Sequence, residues 1–168
     1  CAAELDPDFT GTIDPRLHFM HPDVAPIQER AFVDNTPDPA LAAEIEQMAA
    51  ALETVLDDFC HTYAIDVLVP QNALTIPMNL PLGIALVETV QELGIGCVAH
   101  HHDFYWERDR FAINAVDDLL RYAFPPALPQ VQHVVINSLA GEEFSRRTGL
   151  SCRIIPNVMD YANPPDPP

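Results

Sequence analysis

The chain has 168 residues, 48% apolar and 20% charged, which suits one globular domain with a substantial core. Its 25 acidic residues against 8 basic ones give a formal charge of −17, and every basic residue is an arginine. That field repels phosphate backbones and argues against nucleic acid as a partner. No apolar run approaches the roughly 20 residues of a membrane span, and no cleavable signal pattern is present.

A cytoplasmic location is therefore expected, with membrane association of the intact protein left open. The four cysteines, Cys1, Cys60, Cys97 and Cys152, form no CxxC or metal-ligand spacing and read as reduced thiols. The chain opens on Cys1 rather than Met, and residues 164–168 read as a Pro-rich linker, so a longer parent protein is expected.

Residues 1–38 are rich in Pro, Asp and His without a sustained period, and are expected to be extended or loop-like. Asp38-Pro39 then opens a helix, since Asp caps and Pro is tolerated in the first turn. Leu41, Ile45, Met48, Leu52, Val55, Leu56 and Phe59 form one apolar stripe to about His61. Residues 65–69 read as a short buried strand. Residues 80–93 read as a helix opened by Pro81, closed by Gly94 and apolar nearly all round, hence largely buried.

Residues 95–99 form a second strand, and a helix over 114–123 stops at Pro125-Pro126. A strand at 133–136, a helix at 139–147 and a strand at 152–155 complete the alternation. Strand–helix alternation implies a parallel sheet flanked by helices on both faces, a Rossmann-like α/β domain over residues 39–163. The usual opening strand and Gly-rich turn of such a fold are missing, so the domain reads as incomplete. A segment lacking its opening strands would expose sheet edge, and self-association is expected of it.

Ligands of parallel α/β sheets bind beyond the carboxyl ends of the strands. Each predicted strand here ends in polar residues: Gln71 and Asn72, then the run from His100 to Asp103, then Asn137 and Ser138, then Asn157 with Asp160 beyond. Strand-to-helix loops are polar in any case, and Ser138 also reads as a cap for the next helix.

The run from His100 to Arg108 is the most unusual part of the chain. Its imidazoles and Asp103 offer donors beside an acceptor, and Tyr105 and Trp106 add aromatic faces on which sugars stack. In one reading a histidine contacts a reacting sugar or acceptor while Asp103 orients it or accepts a hydroxyl proton. In a second, His100, His102 and Asp103 bind a divalent metal, although no other His/Asp/Glu cluster at ligand spacing supports this. In a third they are hydrogen-bonded loop histidines beside a core Trp106.

The stretch "VAHHHDFYWER" from Val98 to Arg108 resembles the histidine-bearing loop of the amino-terminal domain in retaining glycosyltransferases of the two-Rossmann-domain (GT-B) type. More narrowly, it is similar to family 4 (group 1), which includes sucrose synthases and bacterial mannosyltransferases. The ending "IIPNVMD" resembles that family's "IPNGVD" element, with Val158-Met159 in place of Gly-Val. Val135-Ile136-Asn137-Ser138 resembles the strand and polar turn before it. The match covers about residues 64–163.

The resemblance implies the acceptor-side half of a two-domain enzyme whose second half holds the nucleotide sugar. His101 or His102, with Asp103, would line the cleft as catalytic residues. Asn137 and Ser138 would sit at the cleft floor, and Asn157 and Asp160 would shape the interdomain turn. Together with Asn72 at the first strand end and Trp106 in the aromatic run, Asn137, Ser138 and Asn157 are the expected substrate contacts. The implied reaction moves a sugar from a nucleotide-sugar donor to an acceptor hydroxyl with retention, using no metal and no cofactor. Implied partners are a sugar or glycosylated acceptor and a second domain of the same chain, without which the segment is expected to be inactive. The alternatives are a metal-dependent hydrolase using the His100–Asp103 cluster and a non-catalytic α/β interaction module. Arg110, Arg121, Arg146 and Arg147 are the local candidates for neutralising a phosphate.

Overall fold

The computed structural model describes residues 8, 10–34, 36 and 38–158. Cys1, Asp160 and the expected linker at 164–168 lie outside the described residues. Four strands, β1 (Val67–Leu68), β2 (Gly96–His101), β3 (Val131–Val135) and β4 (Cys152–Ile154), form one sheet in the order β1-β2-β3-β4. All three pairings are parallel. The α/β sheet flanked by helices expected from the alternation is present.

The first 34 residues contribute a 3-10 turn (Pro15–Leu17), the short helix α1 (Ala25–Glu29) and a π-type turn (Arg30–Asp34). Helix α2 (Pro39–Thr62) starts where Asp38 accepts a hydrogen bond from the Ala40 amide, with Pro39 in the first turn. Its stripe Leu41, Ile45, Ala49, Leu52, Leu56 and Cys60 is buried and faces α3 (Leu80–Leu93), which is buried on nearly every side. Asn79 caps α3, and Gly94 ends it at φ 63°, the left-handed conformation that glycine adopts without steric cost. Helices α4 (Asp117–Ala123) and α5 (Ser138–Thr148) complete the crossovers.

All four strands differ from their expected bounds: β3 begins and ends earlier than 133–136, β4 stops one residue short of 155, and the first two differ more tellingly. Ile65 is drawn into the end of α2, where its amide bonds the Cys60 carbonyl, so β1 is shorter than 65–69. Strand β2 runs two residues further than expected. The His100 amide donates to the Pro70 carbonyl, and His100 and His101 stay in register with Val134 and Val135. The histidine run therefore begins inside the sheet.

Strand alternation places Cys97, Ala99 and His101 on one face, beside His133 and Val135 of β3. That face receives the helices: Cys97 and Ala99 belong to the main core with α2, α3 and Leu120 of α4, while Phe144 of α5 packs against Val135 and stacks on His101. Consecutive crossovers that each step to the next strand, all of one hand, put their helices on a single face. The expected second helical layer is not formed by the described residues. The opposite face carries Val67 and Val69, 50% and 55% exposed.

Candidate functional site

Because the strands are parallel, their carboxyl ends share one rim. Beyond β1 the chain stays beside β2 through a bridge between Gln71 and His100, and the Asn72 amide donates to the His100 carbonyl. Asn72 then turns at φ 60°, a left-handed conformation that asparagine tolerates better than most residues. Its side chain is delivered against the end of β2.

There the Asn72 Oδ1 accepts from the His102 amide at 2.8 Å, and from the Asp103 amide and the Thr75 hydroxyl at 3.4 and 3.3 Å. The Asn72 Nδ2 donates to Asp103 Oδ1 at 2.5 Å. Both ends of the amide are thereby assigned, since backbone N–H groups only donate and a carboxylate only accepts. The second Asp103 oxygen accepts from Arg108 Nε at 2.8 Å and from the same guanidinium's terminal nitrogen. Asp103 is thus an acceptor gripped from two sides and still partly open to solvent. His102 lies alongside, its Nε2 donating to Gln71 Oε1 at 3.0 Å, with the His100 ring 4.5 Å away.

His101 points the other way and is 0% exposed. Its Nε2 lies 2.9 Å from His133 Nδ1, and His133 Nε2 lies 3.1 Å from the Pro126 carbonyl. A carbonyl only accepts, so His133 carries its proton on Nε2 and receives one from His101 Nε2. This leaves His101 Nδ1 unprotonated, and it is buried without a partner among the described residues. Burial, aided by the neighbouring His133, lowers His101 to about 3, and burial lowers His133 to about 4. Both are neutral in the folded chain at ordinary pH.

The remaining expected residues are dispersed. Trp106 stacks on Phe104 with ring centroids 4.5 Å apart, and the Arg147 guanidinium lies over its indole, so it packs toward α5. Asn137 caps α5 by accepting from the Ala140 amide at 2.8 Å, the task Ser138 was also read for. Ser138 and Asn157 are exposed at their strand ends, with no hydrogen bond to the Asn72–Asp103 cluster. Arg108 and Thr75 join that cluster and were not singled out in the sequence. Arg108 stood five residues after Asp103, a spacing with meaning only once the 3-10 turn Tyr105–Glu107 folds it back.

Further along, the loops after β1 and β2 supply Met78, Arg110 and Phe111 to an open cavity of about 600 Å³, lined on the other side by Phe19, Met20 and Phe32. Among the described residues, six of the eight arginines are ion-paired to carboxylates: Arg16, Arg30, Arg108, Arg121, Arg146 and Arg147. Arg110 instead lies over the Phe111 ring and against the Met78 sulfur. No group of three His, Cys, Asp or Glu side chains among the described residues is arranged to hold a metal ion, so the hydrolase reading finds no ligand set there. No helix among them is long and apolar enough to cross a membrane.

No family model matches the chain, and no solved structure matches it. Two curated proteins do. The mannosylglucosylglycerate synthase of Thermotoga maritima is 35% identical over 140 residues, 82% of this chain and 29% of the relative. The mannosylglucosylglycerate synthase of Petrotoga mobilis is 36% identical over 120 residues, 69% of this chain and 27% of the relative. The chain therefore spans less than a third of the length of the curated relatives it matches.

Proposed function

We propose that this chain is the acceptor-side part of a glycosyltransferase, moving a hexosyl group from a nucleotide-sugar donor to an acceptor hydroxyl with retention. The observation that carries the reading is the carboxylate of Asp103, fixed at the shared strand rim and partly open to solvent. Kinship to two sugar-compound synthases over most of the chain supports it. A GT-B arrangement follows, in which a second domain of the same chain holds the donor's diphosphate. The scarcity of unpaired cations on this segment fits that division, and the segment alone is expected to be inactive.

In this scheme the sugar gains oxocarbenium character as the diphosphate leaves, and the leaving phosphate takes the acceptor proton. Asp103 accepts a hydrogen bond from a sugar hydroxyl, and His102 offers its ring beside it. Because Asn72 and Arg108 hold the carboxylate before substrate arrives, little reorganisation is needed in the transition state. His101, which has no route to solvent, serves the fold beneath. Arg110 at the 600 Å³ cavity is the proposed partner for an acidic group on the acceptor. No cofactor is required; the nucleotide sugar is a substrate. The names of the relatives make a mannosyl donor and a glucosylglycerate acceptor the first pair to assay.

Asp103→Asn in the intact protein is expected to lower transfer on the order of 10²-fold, the lower end of what a positioned acid–base or hydrogen-bonding group contributes. Steady-state transfer assays check this. An unchanged rate removes Asp103, and the rim with it, from the mechanism.

A further inference from the structure

Asn72 was expected to touch substrate, yet its amide is spent inside the protein. Its oxygen takes the His102 amide and the Thr75 hydroxyl, and its nitrogen takes Asp103. The backbone is committed as well, through the bond to the His100 carbonyl and the turn at φ 60°. The hydroxyl of Thr75, fully buried, shares its one proton between the Asn72 Oδ1 and the Asn72 backbone carbonyl oxygen, each 3.3 Å away, bracing the turn from beneath. One side chain from the end of β1 thereby sets two consecutive residues after β2.

We infer that Asn72 is a positioning residue: it acts through Asp103, latching the carboxylate and the His102 backbone to the neighbouring strand end, and does not bind sugar through its own amide. The inference rests on the proposal that Asp103 works at a transfer site. The chemistry selects asparagine twice over. The turn needs a residue that accepts a left-handed backbone, and the loop needs one acceptor and one donor on a single short planar group. Aspartate would supply the acceptor but set a second negative charge against Asp103. Glycine would keep the turn and lose the latch.

The test is a double-mutant cycle on transfer by the intact protein, with Asn72→Gly, Asp103→Ala and the pair. Asn72→Gly is expected to lower kcat roughly 10- to 100-fold with little change in acceptor KM, the cost of a misplaced but intact group. In the Asp103→Ala background the same change should cost less than about threefold, because a latch has no further effect once its object is gone. An equal loss in both backgrounds overturns the inference and leaves the transfer site standing. Full activity of Asp103→Ala overturns both.

Amide hydrogen exchange on this chain supplies a measurement independent of activity. Asn72→Gly should speed exchange at His102 and Asp103 while α2 and α3 stay protected. Unchanged exchange at His102, or lost protection throughout the chain, rejects the latch.

Discussion

His101 and Asp103 sit two residues apart and lead opposite lives. Strand alternation sends His101 into the helical layer, and the chain leaves the sheet just in time for Asp103 to reach the rim. The sequence displayed the histidine run plainly, but which imidazole faces inward depends on where β2 ends. That end is set by Pro70, just beyond β1, and by Val135 of β3, both outside the motif. His133, the partner of His101, carried no local signal at all, because a single histidine in an apolar strand looks like any other. Their pairing has a consequence in acid. The unfolded chain takes up protons near the ordinary histidine value of 6.5, whereas burial keeps both rings neutral until about 4 for His133 and about 3 for His101. Below pH 6.5 the unfolded state binds more protons, so stability falls as pH drops from 6.5 toward 4. Urea unfolding across that window should show a declining midpoint, with a shallower decline for a His101→Leu, His133→Leu double variant.

Helix α3 shows what element-level reasoning reaches and where it stops. Its apolar periphery, the Asn79 cap region and the Gly94 stop are local, and its near-complete burial follows from them. The same locality made α2 legible and placed α5 just after the polar end of β3. What cannot be read locally is that Phe124, at the end of α4, lays its ring directly on Gly83. A Cβ at Gly83 would stand 2.0 Å from the Phe124 Cζ, and Phe124 is itself 1% exposed, with no room to withdraw. Gly83→Ala gains helix propensity, yet it is expected to destabilise the fold by about 1–3 kcal/mol through overpacking. Denaturant titration should show a lower midpoint at an unchanged slope. A more stable variant would mean the ring yields.

At the scale of the molecule, a strongly acidic chain keeps most of its few cations for itself, and the rim carboxylate is one of the groups they hold. The parallel order of the strands, inferred from alternation alone, brings Asn72 and Asp103 together across 31 positions of sequence. Alternation does not specify which face a crossover helix takes, and this is why a two-faced helical layer was expected where the described helices occupy one. The central strand also carries Cys97, 2% exposed, its thiol pushed up to about 12 by burial. Thiolate is the form that reacts with alkylating reagents, so this sulfur is chemically silent for as long as the strands stay paired. Half-buried Cys152 on β4 is not shielded in the same way. Iodoacetamide with peptide mapping should mark Cys152 in native buffer and Cys97 only at the pace of global opening, accelerating with sub-denaturing urea. Equal labelling of both would reveal a sheet that breathes at its centre; otherwise Cys97 serves as a ready-made clock for unfolding.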